Sequence, residues 1–213
     1  MTFPSAYKGA KKLFAAQILE LIGTVFLVAM AFMALMGSAA VGEGAGNAVI
    51  GGYALGTLLT LIPSVLLPII AEIITLVGLY QAGKDDPQII AKAFWLAVIA
   101  LILSLVSAYV SNSNSNTSLV SILDGVGSVL SVLVFILTIR GFGNLCRRVG
   151  RSDVAIFGTR ILFIMLVAVI LLVVALIFAG QIGGIAALAS AVVMAIVYII
   201  YLVYLSKVKK ALM

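Results

Sequence analysis

The chain has 213 residues, 64% of them hydrophobic and 9% charged, with a mean hydropathy of +1.33, a composition outside that of soluble globular domains. Apolar runs of about 20 residues and more recur along it, which marks a polytopic membrane protein. The net charge of +6 is carried in short basic groups rather than a continuous stripe, which sets nucleic acid aside as a partner; the lone cysteine, Cys146, excludes an internal disulfide, and the lack of histidine excludes His-built zinc sites, His-dependent triads and His-ligated haem.

Taken in chain order, the apolar runs predict six spans, over residues 13 to 36, 62 to 81, 88 to 110, 119 to 143, 154 to 179 and 184 to 206. The first run follows Lys8, Lys11 and Lys12 and ends in "MGSAA", which resembles a cleavage site. Its length and Glu20 within it fit a retained helix better than a signal sequence. The second run is preceded by residues 46 to 62, and the fourth by 114 to 124, so each helix would overrun a hydrocarbon layer about 30 Å thick. These extensions are expected to tilt, kink, lie in the interface or re-enter, with breaks at Pro63, Pro68, Gly125 and Gly127. Between the second and third runs, "KDDP" offers Asp85 or Asp86 as a cap and Pro87 in the first turn. "GRSD" offers Ser152 as a cap for the fifth run, and "GQIGG" at 180 to 184 reads as a tight turn before the sixth.

All 13 lysines and arginines fall at one set of ends of these runs, whereas "GSAAVGEGAGN", "SNSNSNTS" and "GQIGG" carry none. The positive-inside rule then puts both termini in the cytoplasm and the chain in the inner (plasma) membrane as a single all-α helical-bundle domain over residues 1–213. "LVGLYQAGKDDPQIIAKAF" and "GNLCRRVGRSDVAIFGTRI" align with a shift of 67 residues, and "KGAKKLFAAQIL" is a looser third copy. Three consecutive hairpins in one orientation, a pseudo-threefold bundle, would produce that pattern.

Five spans each carry one charge at a common level, namely Glu20, Glu72, Lys92, Arg140 and Arg160. At a rise of about 1.5 Å per residue they lie roughly 9 to 18 Å from the nearest cytoplasmic boundary. A charge at such depth faces the interior, pairs, or snorkels, and the fork of Arg140 suits a carboxylate partner. Arg147, Arg148 and Arg151 read as topogenic and headgroup charges.

Ser121, Asp124, Ser128, Ser131 and Thr138 share one face of the fourth span, Gln17, Glu20 and Thr24 one face of the first, and Thr60 and Ser64 lie above Glu72 on the second. If those faces converge they form a polar seam. Small residues recur every fourth position at Gly183, Ala187, Ala191 and Ala195, and again at Gly52, Gly56, Thr60 and Ser64, the pattern of close helix packing within the chain or between copies. Tyr198, Tyr201 and Tyr204 read as an interfacial aromatic anchor, and Cys146 beside Arg147 stands where palmitoylation acts.

No GxSxG, Walker A or HExxH motif occurs, so no enzymatic activity is expected, nor any cofactor or metal. Two functional readings stand side by side. The first is a transporter, channel or membrane-embedded substrate-binding subunit for a small solute or ion, acting along the seam with Asp124 as outer attractor, Glu20 and Glu72 as inner polar groups and Arg140 as counter-charge. The second is a scaffold, regulatory or immunity-type partner that binds other helices through its small-residue faces. The expected partners are accordingly membrane lipids, a small solute or ion, and a second copy or another membrane subunit.

Overall fold

In the computed structural model the described residues are 3–42, 46–113, 117–177 and 179–213; side-chain surroundings at 40, 42, 47, 48, 50, 112, 113, 117, 169–192 and 194 lie outside that description. The described chain is helical, with no strand among the described residues. Its helices are α1 (Pro4–Gly42), α2 (Asn47–Gly83), α3 (Ile90–Ser113), α4 (Thr117–Arg148), α5 (Ser152–Ile177) and α6 (Ala179–Ala211). Four of them hold stretches long and apolar enough to cross a membrane, namely Pro4–Ala39, Gly51–Gly83, Ile90–Ser111 and Ser118–Arg148. Large apolar side chains lie bare along them, Leu59 at 74% and Leu105 at 63% exposure. In water that surface would aggregate, whereas hydrocarbon solvates it, so the chain is suited to membrane embedding.

The helices are longer than the apolar runs alone. At about 1.5 Å per residue the 39 residues of α1 extend roughly 58 Å, well beyond a hydrocarbon layer of about 30 Å. Two sequence expectations are corrected here. Residues 47 to 62 are a direct continuation of α2, which runs through both Pro63 and Pro68, and Gly125 and Gly127 do not interrupt α4. Without water to take up freed backbone groups, a helix that loses one N–H at a proline keeps the rest of its ladder. Nearby hydroxyls add local bonds, Ser64 Oγ donating to the Leu61 carbonyl at 2.8 Å and Thr60 Oγ to that of Gly56 at 2.9 Å. The second correction concerns 180 to 184, where α6 is already under way; α5 ends at Ile177 and α6 begins at Ala179. Glycines break helices by exposing backbone to competing water, a cost that falls where water is absent.

The chain forms two compact units, one of residues 1–11 and 76–213, the other of residues 12–75. In the larger unit the lysine- and arginine-bearing ends of all six helices come together. Asp85, after α2, accepts a hydrogen bond from the Ala6 amide of α1 at 2.6 Å. Gly9 of α1 lies so close to α2 that an added Cβ would stand 2.6 Å from the Gly78 carbonyl oxygen. The Ile90 side chain of α3 fills the space over Gly141 of α4, and Gly143 of α4 faces Ala155 of α5. Tyr204 of α6 donates its hydroxyl to the Ile139 carbonyl of α4 at 2.8 Å.

The core of this unit lies at the same end. On α4 it comprises Thr138, Ile139, Phe142, Leu145 and Cys146, and on α6 Val197, Tyr201, Tyr204, Leu205 and Val208, with Leu212 just beyond it, all buried. Both sets follow the three-to-four spacing of a helical stripe. Arg140, Arg147 and Arg148 occupy the opposite, exposed face of α4. These three arginines therefore stand where an amphipathic helix end needs a solvated face opposite its core stripe.

In the smaller unit α1 and α2 run past each other in opposite directions. Gly23 meets Pro68, Met30 approaches Ser64, Met33 packs on Gly56, and Gly37 meets Tyr53. A Cβ on Gly23 would fall 2.9 Å from Pro68 Cδ, so glycine permits this crossing.

Candidate functional site

The candidate residues divide between the two units. Gln17, Glu20 and Glu72 belong to the smaller one, and Asp124, Ser128, Ser131, Arg140 and Arg160 to the larger. One helical turn beyond the Gly23–Pro68 crossing in each direction brings Glu20 and Glu72 to the same level on neighbouring helices. Both are exposed. Gln17 Nε2 donates to Glu20 Oε2 at 3.0 Å, and Thr24 returns its hydroxyl to the Glu20 carbonyl at 2.9 Å. The face Gln17–Glu20–Thr24 is thus bonded along its own helix, as i,i+3 and i,i+4 neighbours allow.

The polar row of α4 behaves similarly. Ser128 Oγ donates to the Asp124 carbonyl at 2.8 Å, Ser131 Oγ to Gly127 at 3.0 Å and Thr138 Oγ to Val134 at 2.7 Å. These hydroxyls turn back onto their own helix, where a carbonyl one turn earlier is the nearest acceptor. Asp124 reaches across: its Oδ1 accepts from Ser107 Oγ of α3 at 2.6 Å, and Ser107 is buried. A buried hydroxyl given to a carboxylate is a strong, short bond. The sequence did carry a signal for Ser107, which stands three residues after Ser104 and four before Ser111, the spacing of one helical face.

Arg140 and Arg160 are exposed, as is Lys92. The salt bridge found among the described residues joins Arg151 and Asp153, Nε to Oδ1 at 3.1 Å, outside the apolar runs. That hydrogen bond, and then the guanidinium charge, hold the Asp153 carboxyl below its ordinary range.

Three further placements bear on the readings above. Tyr204 is fully buried and Tyr201 is 6% exposed, so neither is an interfacial anchor. They belong to the core, Tyr201 lying against Phe135 with ring centroids 4.5 Å apart and the planes tilted by 51°. The physical reason lies in Gly158, which leaves room for the Tyr204 ring where an added Cβ would stand 2.9 Å from Tyr204 Cε2. Cys146 is likewise fully buried, which removes it from the reach of an acyltransferase. Of the small-residue rows, Gly56 and Ser64 face Met33 and Met30, whereas Gly52 has nothing within 4 Å. Ala195 is exposed, and the side chains of Gly183, Ala187 and Ala191 lie outside the described residues.

The "KDDP" corner is an arrangement whose partners the sequence did not reveal. Asp86 Oδ1 accepts the Ile89 amide at 3.3 Å and caps the turn that leads into α3, while its neighbour Asp85 caps α1 instead. Adjacent carboxylates thus tie three helices to one loop. The corresponding loop after α4 closes differently: Gly150 takes a φ of 80° and Arg151 donates its amide to the Cys146 carbonyl at 2.8 Å. That is a glycine-terminated helix end of the Schellman type.

No protein-family model matches this chain, and no curated protein or solved structure matches it.

Proposed function

We propose that the chain crosses the plasma membrane six times as three consecutive hairpins, with both termini in the cytoplasm, and that it binds or passes a small cation at its paired carboxylates. Four apolar helices support the membrane placement. The six-span count and the orientation rest on the apolar runs and on the one-sided distribution of lysine and arginine. The observation that carries the cation reading is Glu20 and Glu72 standing level on α1 and α2, both exposed within apolar stretches. Two like carboxylates in hydrocarbon are costly unless a cation, a proton or water meets them. In the larger unit, Asp124 is a second polar group within an apolar stretch, held by Ser107.

Proteoliposomes test this directly. With proton, sodium or potassium gradients, the wild-type chain should dissipate at least one gradient faster than empty vesicles. The Glu20→Gln, Glu72→Gln double variant should not. Equal rates for the wild type and the variant would overturn the reading.

A second reading has its own support. The hydroxyls of Ser128 and Ser131 are satisfied on their own helix, and Gly51, Gly52, Gly125 and Gly127 have no neighbour within 4 Å. Bare glycine faces suit a non-transporting scaffold that receives another helix. Cross-linking between copies, lost on Gly125→Leu with helicity intact, is the outcome expected of that reading.

A further inference from the structure

At the corner where α2 hands over to α3, four side chains form a connected surface. Tyr80 and Phe94 lie with ring centroids 5.6 Å apart, Phe94 and Trp95 with centroids 5.3 Å apart, and Lys84 Nζ sits 4.9 Å from the centroid of the Tyr80 ring. Trp95 is 64% exposed and Tyr80 53%, so this cluster is presented outward rather than packed into the core. Lys92, also exposed, lies three residues before Trp95 and therefore on the same helical face. Two cations thus flank three aromatic rings at the basic end of the molecule.

From this juxtaposition we infer that the α2–α3 corner is a binding site for the headgroup of an anionic phospholipid, with Lys84 and Lys92 on the phosphate and Tyr80, Phe94 and Trp95 at the acyl-chain boundary.

The chemistry follows from the residue types. Aromatic rings with a polar edge settle at the level of the headgroups, one side apolar and the other wet. Lysine stems reach along apolar surface while the ammonium stays at the interface. No acidic group stands beside either cation on its own helical face: Asp85 is engaged with the Ala6 amide and Asp86 is buried with one oxygen on the Ile89 amide. A cation near an anionic surface attracts it by an amount equivalent to about a five-fold enrichment per charge. The inference rests on the membrane placement proposed above but not on solute movement.

Trp95 is the single tryptophan of the chain, so its fluorescence reports on this corner alone. The purified full-length chain is reconstituted in phosphatidylcholine nanodiscs, and brominated phosphatidylglycerol or brominated phosphatidylcholine is added at equal mole fraction as quencher. The expected result is preferential quenching by the anionic lipid, with an apparent enrichment of about five-fold or more. The preference should disappear in the Lys84→Gln, Lys92→Gln double variant and persist in a Lys209→Gln, Lys210→Gln variant that loses the same charge elsewhere. High salt should also abolish it in the wild type, a check independent of whether any variant folds. Equal quenching by the two lipids would overturn the site, as would a preference lost equally in both double variants. Absence of quenching by either lipid would overturn the membrane placement together with the site.

Discussion

Tyr204 shows how much one side chain decides. Its hydroxyl bridges α6 to α4, and its ring lies against Gly158 of α5, so three helices are fixed around one residue. Tyr204→Phe keeps the ring and removes the bond, and should destabilise the chain by about 1 kcal/mol, since the Ile139 carbonyl keeps a helical partner. Gly158→Ala should cost more, about 1 to 3 kcal/mol, because the new Cβ would stand 2.9 Å from Tyr204 Cε2. Thermal unfolding in detergent measures both, and a smaller loss for Gly158→Ala than for Tyr204→Phe would contradict the packing account. Asp153 offers a pH test at the same scale. The Arg151 hydrogen bond depresses its folded-state pKa, so its contribution is present above the ordinary carboxyl range and is lost as pH falls through the lowered value. Carboxyl-carbon NMR should show Asp153 titrating below the usual aspartate range, and Arg151→Gln should return it there; for so exposed a pair the effect belongs to titration, not to overall stability.

At the scale of elements, the helix ends are held by contacts that the helices themselves do not contain. α1 begins at Pro4, and its Ala6 amide is satisfied by Asp85 from the far end of α2. Asp85→Ala should therefore cost about 1 kcal/mol, with amide exchange rising at residues 5 to 8 of α1 rather than around the mutated loop. Exchange confined to 84 to 90 would show that Asp85 serves its own loop. The α1–α2 pair depends on close approach instead. Gly23→Leu would drive a branched side chain into Pro68, so those two helices should separate while α3 to α6 keep their helicity. Cross-linking of cysteines placed at Met33 and Gly56 reads that separation, with loss of the cross-link in Gly23→Leu as the expected result. The prolines inside α2 teach the same lesson from the other side. Pro63 and Pro68 read as breaks by local preference, yet α2 continues, because in an apolar medium ending the helix would leave several backbone groups unpaired where continuing it leaves one.

On the largest scale, the buried side chains of the larger unit gather at its basic end, while large apolar side chains along the described helices are bare. Cys146 is buried there, which makes labelling of an introduced cysteine nearly free of background. Maleimide applied outside intact cells should tag Ser118→Cys and leave Lys210→Cys untouched. Tagging of Lys210→Cys alone would reverse the proposed orientation, and tagging of both would overturn the three crossings between them. The sequence carried the membrane character, the helical class and the gathering of cations at one set of ends, because burial in hydrocarbon forces helices and basic residues resist crossing it, and both constraints are written residue by residue. Of the candidate site, composition pointed to Glu20, Glu72 and Asp124, but not to Ser107 as the donor to Asp124, nor to Ser128 and Ser131 turning inward on their own helix. Only the tertiary structure decided that Tyr204 is a core residue rather than an interfacial anchor, and that Asp85 and Asp86 serve different helices. The reason is physical: hydropathy is a property of single residues and their near neighbours, whereas the slot over Gly158, lined by Ile139 and Tyr204, exists only once α4, α5 and α6 have met.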